Sequence, residues 1–473
     1  MLAPIINDFK KFRDTLFACF SYRADATMEL IDALSGNTDA DSVVQLSLSP
    51  AFRRNYGSIR EAISSFGADL LQSTRIEQCL IPYCSPPTSN RPFRLMVLDA
   101  TPARRQFAKT LEDRGIIYSP NPVPGNKPIT VGHQYSVMGF LPEQSVGQNF
   151  PWMLPLSVRR ISTDANSIDV GLKQLDAIIP SFNQALTVSV GDTAYSRPHF
   201  IQGTQKHENL VHIARLQANR VIYHPPNPKQ PKITNRRTRG HELWYGEAFN
   251  LSAPLTWQEA NETQAIVFKS RKGKLLIAHI QCWNDRLMRQ KNGVPLNEHP
   301  FRVIRIVITN ENGEPVYKRP MWLMVVGKRR QELSLMQIWE SYKKRYDIEH
   351  FFKFGKSRLL MDKFQTPDTT HEESWWQLAS FAYAQLYMAR QLADNLPNPW
   401  EKYLPTMKNN AKVKSPRQVQ KSFLKITAMI GTPANPPKPR GKPLGRLKGA
   451  QQPRRIRLPI VIKHKRHLDK MAS

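Results

Sequence analysis

Apolar positions along the chain change their period several times, and each change marks an element. Ile5, Phe9, Phe12 and Leu16 recur at helical spacing. A second helical stretch, Leu48 to Phe66, carries Tyr56, Ile59 and Ile63, with Arg53, Arg54 and Arg60 among them. Residues 1–90 therefore read as a helical N-terminal domain, and its interspersed cations leave DNA binding and a plain helical bundle both open. The Pro/Ser-rich CSPPTSNRP, Cys84 to Pro92, breaks this pattern. FRLMVLDA follows, a compact apolar run predicted as a buried strand that delivers Asp99 at its C-terminal end. Gln134–Leu141 and Trp152–Ile161 predict two more strands, and Ser167–Pro180 a helix through Val170, Leu172, Leu175 and Ile178. Ala185–Asp192 is a fourth strand, again ending in an acid, and Glu208–Leu216 a fifth. This order is mixed α/β.

From about residue 219 the chain turns β-rich. Pro225–Lys232 breaks the sheet pattern because proline cannot donate to a ladder. The runs Ala265–Ser270, Lys274–Trp283, Phe301–Thr309 and Met321–Val326 then predict strands, with turn signals at Asn292-Gly293 and Asn312-Gly313. Leu333–Leu360 reads as one long helix, and about Glu373 to Asn395 as an apolar one. Beyond Leu396, Pro and Lys dominate.

Charge changes the picture next. The chain carries 68 Lys+Arg against 38 Asp+Glu, a formal +30, which points to a polyanionic partner. The excess is concentrated: from Glu401 to Ser473 there are 19 Lys/Arg and two acids, Glu401 and Asp469. The stretch PPKPRGKPLGRLKGAQQPRRIR is low-complexity, suited to contact with a DNA backbone but not to reading sequence. Within it, Arg440-Gly-Lys-Pro443 is only a partial match to a minor-groove hook. Four cysteines are too few for a disulfide framework and are expected to be reduced and structural. The N-terminus lacks a signal-peptide pattern, and no apolar run approaches a membrane span. The expectation is a cytoplasmic protein without a membrane partner.

The candidate chemistry is acidic. Asp99 and Asp192 each end a predicted strand, and Glu349 lies on a predicted helix. Tyr342, Arg345, Glu349, Lys353 and Lys356 fall at offsets of 3, 7, 11 and 14. At helical periodicity they share an arc of about 80°. Hard cations such as Mg²⁺ take a few carboxylates plus water and phosphate oxygens. Paired metals clamp both oxygens of an in-line phosphoryl displacement, and neighbouring cations hold phosphates. A solvated ion-pair face, and turn-capping roles for the two Asp residues, are the alternatives these residues leave open. His133 is expected to be an ordinary polar loop residue, and Trp375 and Trp376 core or interface.

Tyr342-x2-Arg345-x3-Glu349-x6-Lys356 matches the YREK motif of the DDE transposases of bacterial insertion sequences. Asp99-Ala-Thr101 resembles the first acidic motif of that family and Asp192-Thr-Ala194-Tyr195 the second. The acids are 93 and 157 residues apart, similar to members with a β-rich insertion before the Glu. The resemblance covers about residues 91–395. It implies an α/β fold with an RNase H-like mixed five-stranded sheet and flanking helices. Its parts would be a helical N-terminal domain (1–90), the first part of the catalytic core (91–218), a β-rich insertion (219–326), the second part with the YREK helix (327–396) and a basic C-terminal region (397–473).

The same resemblance implies that Asp99, Asp192 and Glu349 bind two Mg²⁺ ions, with Mn²⁺ as a substitute. It assigns phosphate contacts near the transposon end to Tyr342, Arg345 and Lys356. Trp322 would stack on a flipped base, with a buried strand position as the alternative, and Lys353 joins the DNA contacts by its helix face. The implied partners are transposon ends and target DNA, bound by a homodimer assembled on DNA. A domesticated, non-catalytic DNA-binding descendant and a metal-dependent nuclease without strand transfer are the alternative functions.

Overall fold

The computed structural model describes residues 2–72, 75–119, 127–144, 150–226, 244–270, 273–289, 296–393 and 414–439. Beyond these it describes residues 441, 445, 447–451, 454 and 456–462. Most of Pro225–Lys232, the Asn292-Gly293 turn, residues 394–413 and much of the basic low-complexity stretch lie outside the described residues, as do Arg440, Lys442 and Pro443. The chain divides into two compact units. One holds Met1–Cys84, Ala100–Asn166 and the described chain from Asp347 onward; the other holds Ser85–Asp99 and Ser167–Tyr346.

The first unit begins with helices α1 (Leu2–Ala18), α2 (Ala24–Ser35), α3 (Tyr56–Gln72) and α4 (Arg75–Gln78). The Phe9, Phe12 and Leu16 stripe of α1 is buried, as its helical period requires. Strand β1 (Arg94–Arg104) crosses the division between the units, and its end lies beside β3 (Ile129–Leu141) in the first. β3 also pairs antiparallel with β2 (Gly115–Tyr118) and β4 (Leu154–Ile161). The backbones of β1 and β3 pass so closely at Gly132 that a Cβ there would lie 2.0 Å from the Ala103 carbonyl oxygen. Glycine is the residue that permits this approach.

In the second unit, the chain continues through α5 (Ser167–Ile178), β5 (Thr187–Gly191), α6 (Pro198–Thr204) and β6 (Leu210–Arg215). Short strands β7 (Val221–Tyr223) and β8 (Ala248–Asn250) form their own pair. The strands β9 (Glu262–Lys269), β10 (Leu275–Arg286), β11 (Phe301–Thr309) and β12 (Met321–Val326) follow, then helix α7 (Leu335–Lys343). The strand order of this unit is β1-β5-β6-β12-β11-β10-β9. β1, β5 and β6 run parallel, and from β12 onward every pairing is antiparallel. The β-rich insertion therefore extends the sheet at β6. β5 is buried at every position, as a parallel strand covered on both faces must be.

The long helix expected over 333–360 is interrupted. After α7, residues Lys344–Tyr346 form a single 3-10 turn, and α8 (Asp347–Arg358) begins in the first unit. A 3-10 turn is wound more tightly than an α-helix, so the shared arc computed from Tyr342 to Lys356 does not carry across it. Helix α9 (Thr369–Ala389), capped by the Asp368 side chain, is buried almost all round and packs on α1, α2, α3, β4 and α10 (Pro416–Ile430). Trp375 and Trp376 are core residues, with Trp376 stacked on Tyr135 at 4.1 Å.

Two of the cations in the N-terminal region have partners within this unit. Arg53 and Arg54 both pair with the buried Glu29. Their guanidinium groups also donate to the Ala434 and Asn435 carbonyls, fixing the chain that follows α10. Further on, Val461 donates to the Lys109 carbonyl at 2.9 Å and accepts from Arg114 at 3.2 Å, a second attachment of the C-terminal segment.

Candidate active site

Strand register builds the first half of the site. β1 and β5 pair in parallel with Val97 opposite Val190, and β5 and β6 with Gly191 opposite Ala214. The same registers continued set Asp99, Asp192 and Arg215 abreast on neighbouring strands, about 4.8 Å apart. Asp192 directly follows β5 as expected, whereas Asp99 lies within β1, which runs on to Arg104. The carboxyl edge of parallel strands is where α/β proteins commonly place their ligands.

Local contacts fix the side chains. Asp192 caps the following 3-10 turn by accepting from the Ala194 N–H at 2.8 Å. Tyr195 of the same motif is buried against Phe200. A Cβ on Gly191 would lie 2.9 Å from its ring, so the glycine makes room for the turn. Arg345 is nearly buried and donates to Asp99 Oδ2 at 3.3 Å, with its guanidinium 4.6 Å from the Tyr346 ring centroid.

Tyr342 is buried, and burial foremost pushes its phenol up to about 12. Arg345 and Arg215 oppose that rise, while Tyr346 and Asp192 add to it. Tyr342 thus keeps its proton and stands in the field of Asp192, Arg345 and Arg215. The sequence reading did not name Arg215; the only signal was a cation closing the run Glu208–Leu216.

Trp322 is elsewhere. It is 1 % exposed and packs among Trp257, Trp283 and Phe249, with the Trp257 ring 5.2 Å away. Its alternating strand position turns it into the core of the β-rich part, so base stacking by Trp322 is not supported.

The first unit holds the remaining predicted residues. Glu349 lies exposed in the first turn of α8, and Lys353 is exposed one turn later. Lys356 differs from both. Its ammonium donates to Thr101 Oγ1 and to the Pro102 carbonyl, each at 2.7 Å. Burial foremost lowers it to about 8.

The unit also contains a buried charged network. Glu372 is 0 % exposed, and its carboxylate lies 2.8 Å from Arg105 Nε and 2.5 Å from His133 Nδ1. His133 Nε2 meets the Glu112 carbonyl at 2.8 Å. His133 is therefore a buried strand residue of β3, not a loop residue.

The donor chemistry suits a hard divalent cation. Asp99 and Asp192 offer two carboxylates at adjacent register positions, the number Mg²⁺ commonly takes beside water and phosphate. Among the described residues, no group of three His, Cys, Asp or Glu side chains is gathered as a metal site. Also among the described residues, no helix is long and apolar enough to cross a membrane.

A large mixed sheet with flanking helices thus carries two acids at matching register on its parallel strands, with cations beside them. A family model described as DDE superfamily endonuclease matches residues 15–283, more than half of the chain. The chain belongs to this family. Its fold is consistent with an RNase H-like DDE fold, and membership implies a metal-dependent nuclease or transposase-type activity with DNA as substrate. The matched region includes Asp99, Asp192 and Arg215 and stops before Tyr342, Arg345, Glu349 and Lys356. Comparison with curated proteins finds no match.

Proposed function

We propose that the protein is the transposase of an insertion sequence, which binds the element ends, cleaves them and joins the freed 3′-OH to target DNA. The observation that carries this reading is the placement of Asp99 and Asp192 at matching register on neighbouring parallel strands, with Arg345 at the first carboxylate. Asp99, Asp192 and Glu349 are the proposed holders of two Mg²⁺ ions, with Mn²⁺ able to replace them. Bound there, the ions would supply Lewis-acid neutralisation of the phosphoryl oxygens and a more acidic attacking water.

The chain's own residues do the rest. Arg345 presents a planar fork suited to bidentate phosphate binding. Arg215, exposed at the end of β6, offers a second cation. Tyr342 stays protonated at neutral pH, so its hydroxyl can donate to a phosphate oxygen. Lys353 extends the cationic face of α8 beyond Glu349. Water attacks the phosphodiester at the element end, one P–O bond forms as another breaks, and the 3′-oxygen leaves as a hydroxyl. That hydroxyl then attacks a target phosphodiester, exchanging one P–O bond for another with no covalent protein intermediate. Two chains assembled on paired ends would bring both 3′-hydroxyls to one target.

The test is a supercoiled plasmid carrying the inverted repeats that flank the coding region, incubated with the protein and Mg²⁺. Nicking at the repeats followed by joined products supports the proposal. Nicking without joining indicates a nuclease, and binding without nicking a non-catalytic descendant; either result rejects the transposase reading.

A further inference from the structure

The Lys of the YREK pattern is not placed as a phosphate-gripping Lys would be. Such a residue is a hydrated, mobile point charge on a flexible stem. Lys356 instead spends two of its three N–H donors on one strand, at the Thr101 hydroxyl and the Pro102 carbonyl, both 2.7 Å away. The Trp376 ring centroid lies 6.0 Å from Nζ. Thr101 is itself buried. One turn of helix separates this half-buried ammonium from Lys353, which is exposed on the same helix. Gly355, beside it in the chain, lies where a Cβ would come within 2.9 Å of Met361 Cε.

We propose that Lys356 is a positioning residue. Its ammonium sits in a socket made by Thr101, Pro102 and Trp376, sets the place of α8 against the end of β1, and does not hold DNA. Glu349 lies on the same helix seven residues earlier, so an α8 that loosens moves the proposed third carboxylate. The socket also gives the threonine of the Asp99-Ala-Thr101 motif a role, as acceptor for the lysine of the YREK motif. The catalytic consequence rests on the transposase reading; the socket itself does not.

The test uses the full chain with Lys356→Met, Lys356→Arg, Thr101→Val and the Met/Val double substitution. Thermal unfolding without DNA reads the socket. The double variant is expected to be no less stable than Lys356→Met alone, because both remove the same interaction. Binding to an end-containing duplex across a salt series reads the DNA role. Lys356→Met is expected to bind within about twofold of wild type with an unchanged salt slope. Single-turnover cleavage at saturating DNA is expected to fall by about tenfold to a hundredfold. The Mg²⁺ concentration for half-maximal rate is expected to rise. Lys356→Arg keeps a phosphate-binding cation but does not fit the socket, and is not expected to restore the rate.

The proposal is overturned if Lys356→Met weakens DNA binding and lowers the salt slope by about one, if Lys356→Arg restores activity, or if Lys356 and Thr101 contribute additively to unfolding. A wild-type chain that binds the ends without cleaving them rejects the transposase reading instead. The unfolding cycle then still decides the socket.

Discussion

Arg345 donates to Asp99 across 3.3 Å, so the first proposed metal carboxylate already has a resident cation. A divalent ion arriving at Asp99 meets that guanidinium as a competitor. Arg345→Gln is therefore expected to bind Mn²⁺ more tightly than wild type, by about twofold to tenfold, while binding DNA less well. Calorimetric titration with Mn²⁺ alone reads the first effect. An unchanged or weaker Mn²⁺ affinity contradicts the competition.

Arg215 stands in register with Asp192 and acts on the Tyr342 phenol. Arg215→Gln is expected to weaken duplex binding uniformly across sequences and to reduce the salt slope by about one. The same substitution is expected to leave the unfolding temperature near that of wild type, because the side chain is exposed.

These two arginines show where sequence reading ends. The strands around Asp99 and Asp192 are legible because FRLMVLDA is a compact apolar run and ALTVSVGD a short β-branched one, each ending at an acid. Their register is not written in either run; it follows only from the parallel pairing of β1, β5 and β6. The 3-10 turn at Lys344–Tyr346 was missed because apolar and polar positions continue through it at nearly helical spacing. Trp322 looked chemically suggestive, yet its strand alternation sends it into an aromatic core. Helix α10 does carry a local signal: Ser415 and Gln418 form a capping box ahead of Val419, Phe423 and Ile426. The pairing of Arg53 and Arg54 is not legible because their partner Glu29 lies on another helix.

Glu372 faces Arg105 and His133 inside the first unit. Glu372→Gln leaves the buried Arg105 guanidinium without its carboxylate. Removing one partner of a buried charge cluster costs about 3–5 kcal/mol, and urea unfolding of the variant is expected to show a loss of this size. A loss below about 1 kcal/mol contradicts the role assigned to Glu372.

His212 is buried in β6, bonded to Ser189 at 2.7 Å, and burial lowers it to about 3. The unfolded chain takes up a proton on this residue near pH 6.5, whereas the folded chain resists it. Stability is therefore full above about pH 6.5 and falls as the pH drops from there toward 3. His212→Asn is expected to flatten that part of the pH–stability curve, measured by urea unfolding at a series of pH values. An acid limb as steep as in wild type contradicts this assignment.

The central claim is that Asp99, Asp192 and Glu349 act together on DNA. It is tested most directly by Mg²⁺-dependent nicking and joining of a supercoiled plasmid bearing the flanking inverted repeats, with Asp99→Asn, Asp192→Asn and Glu349→Gln compared with wild type. The predicted result is nicking and joining by wild type, and loss of both by about a thousandfold or more in each variant, with end binding retained. Cleavage that persists at wild-type rate in any of the three variants contradicts the account.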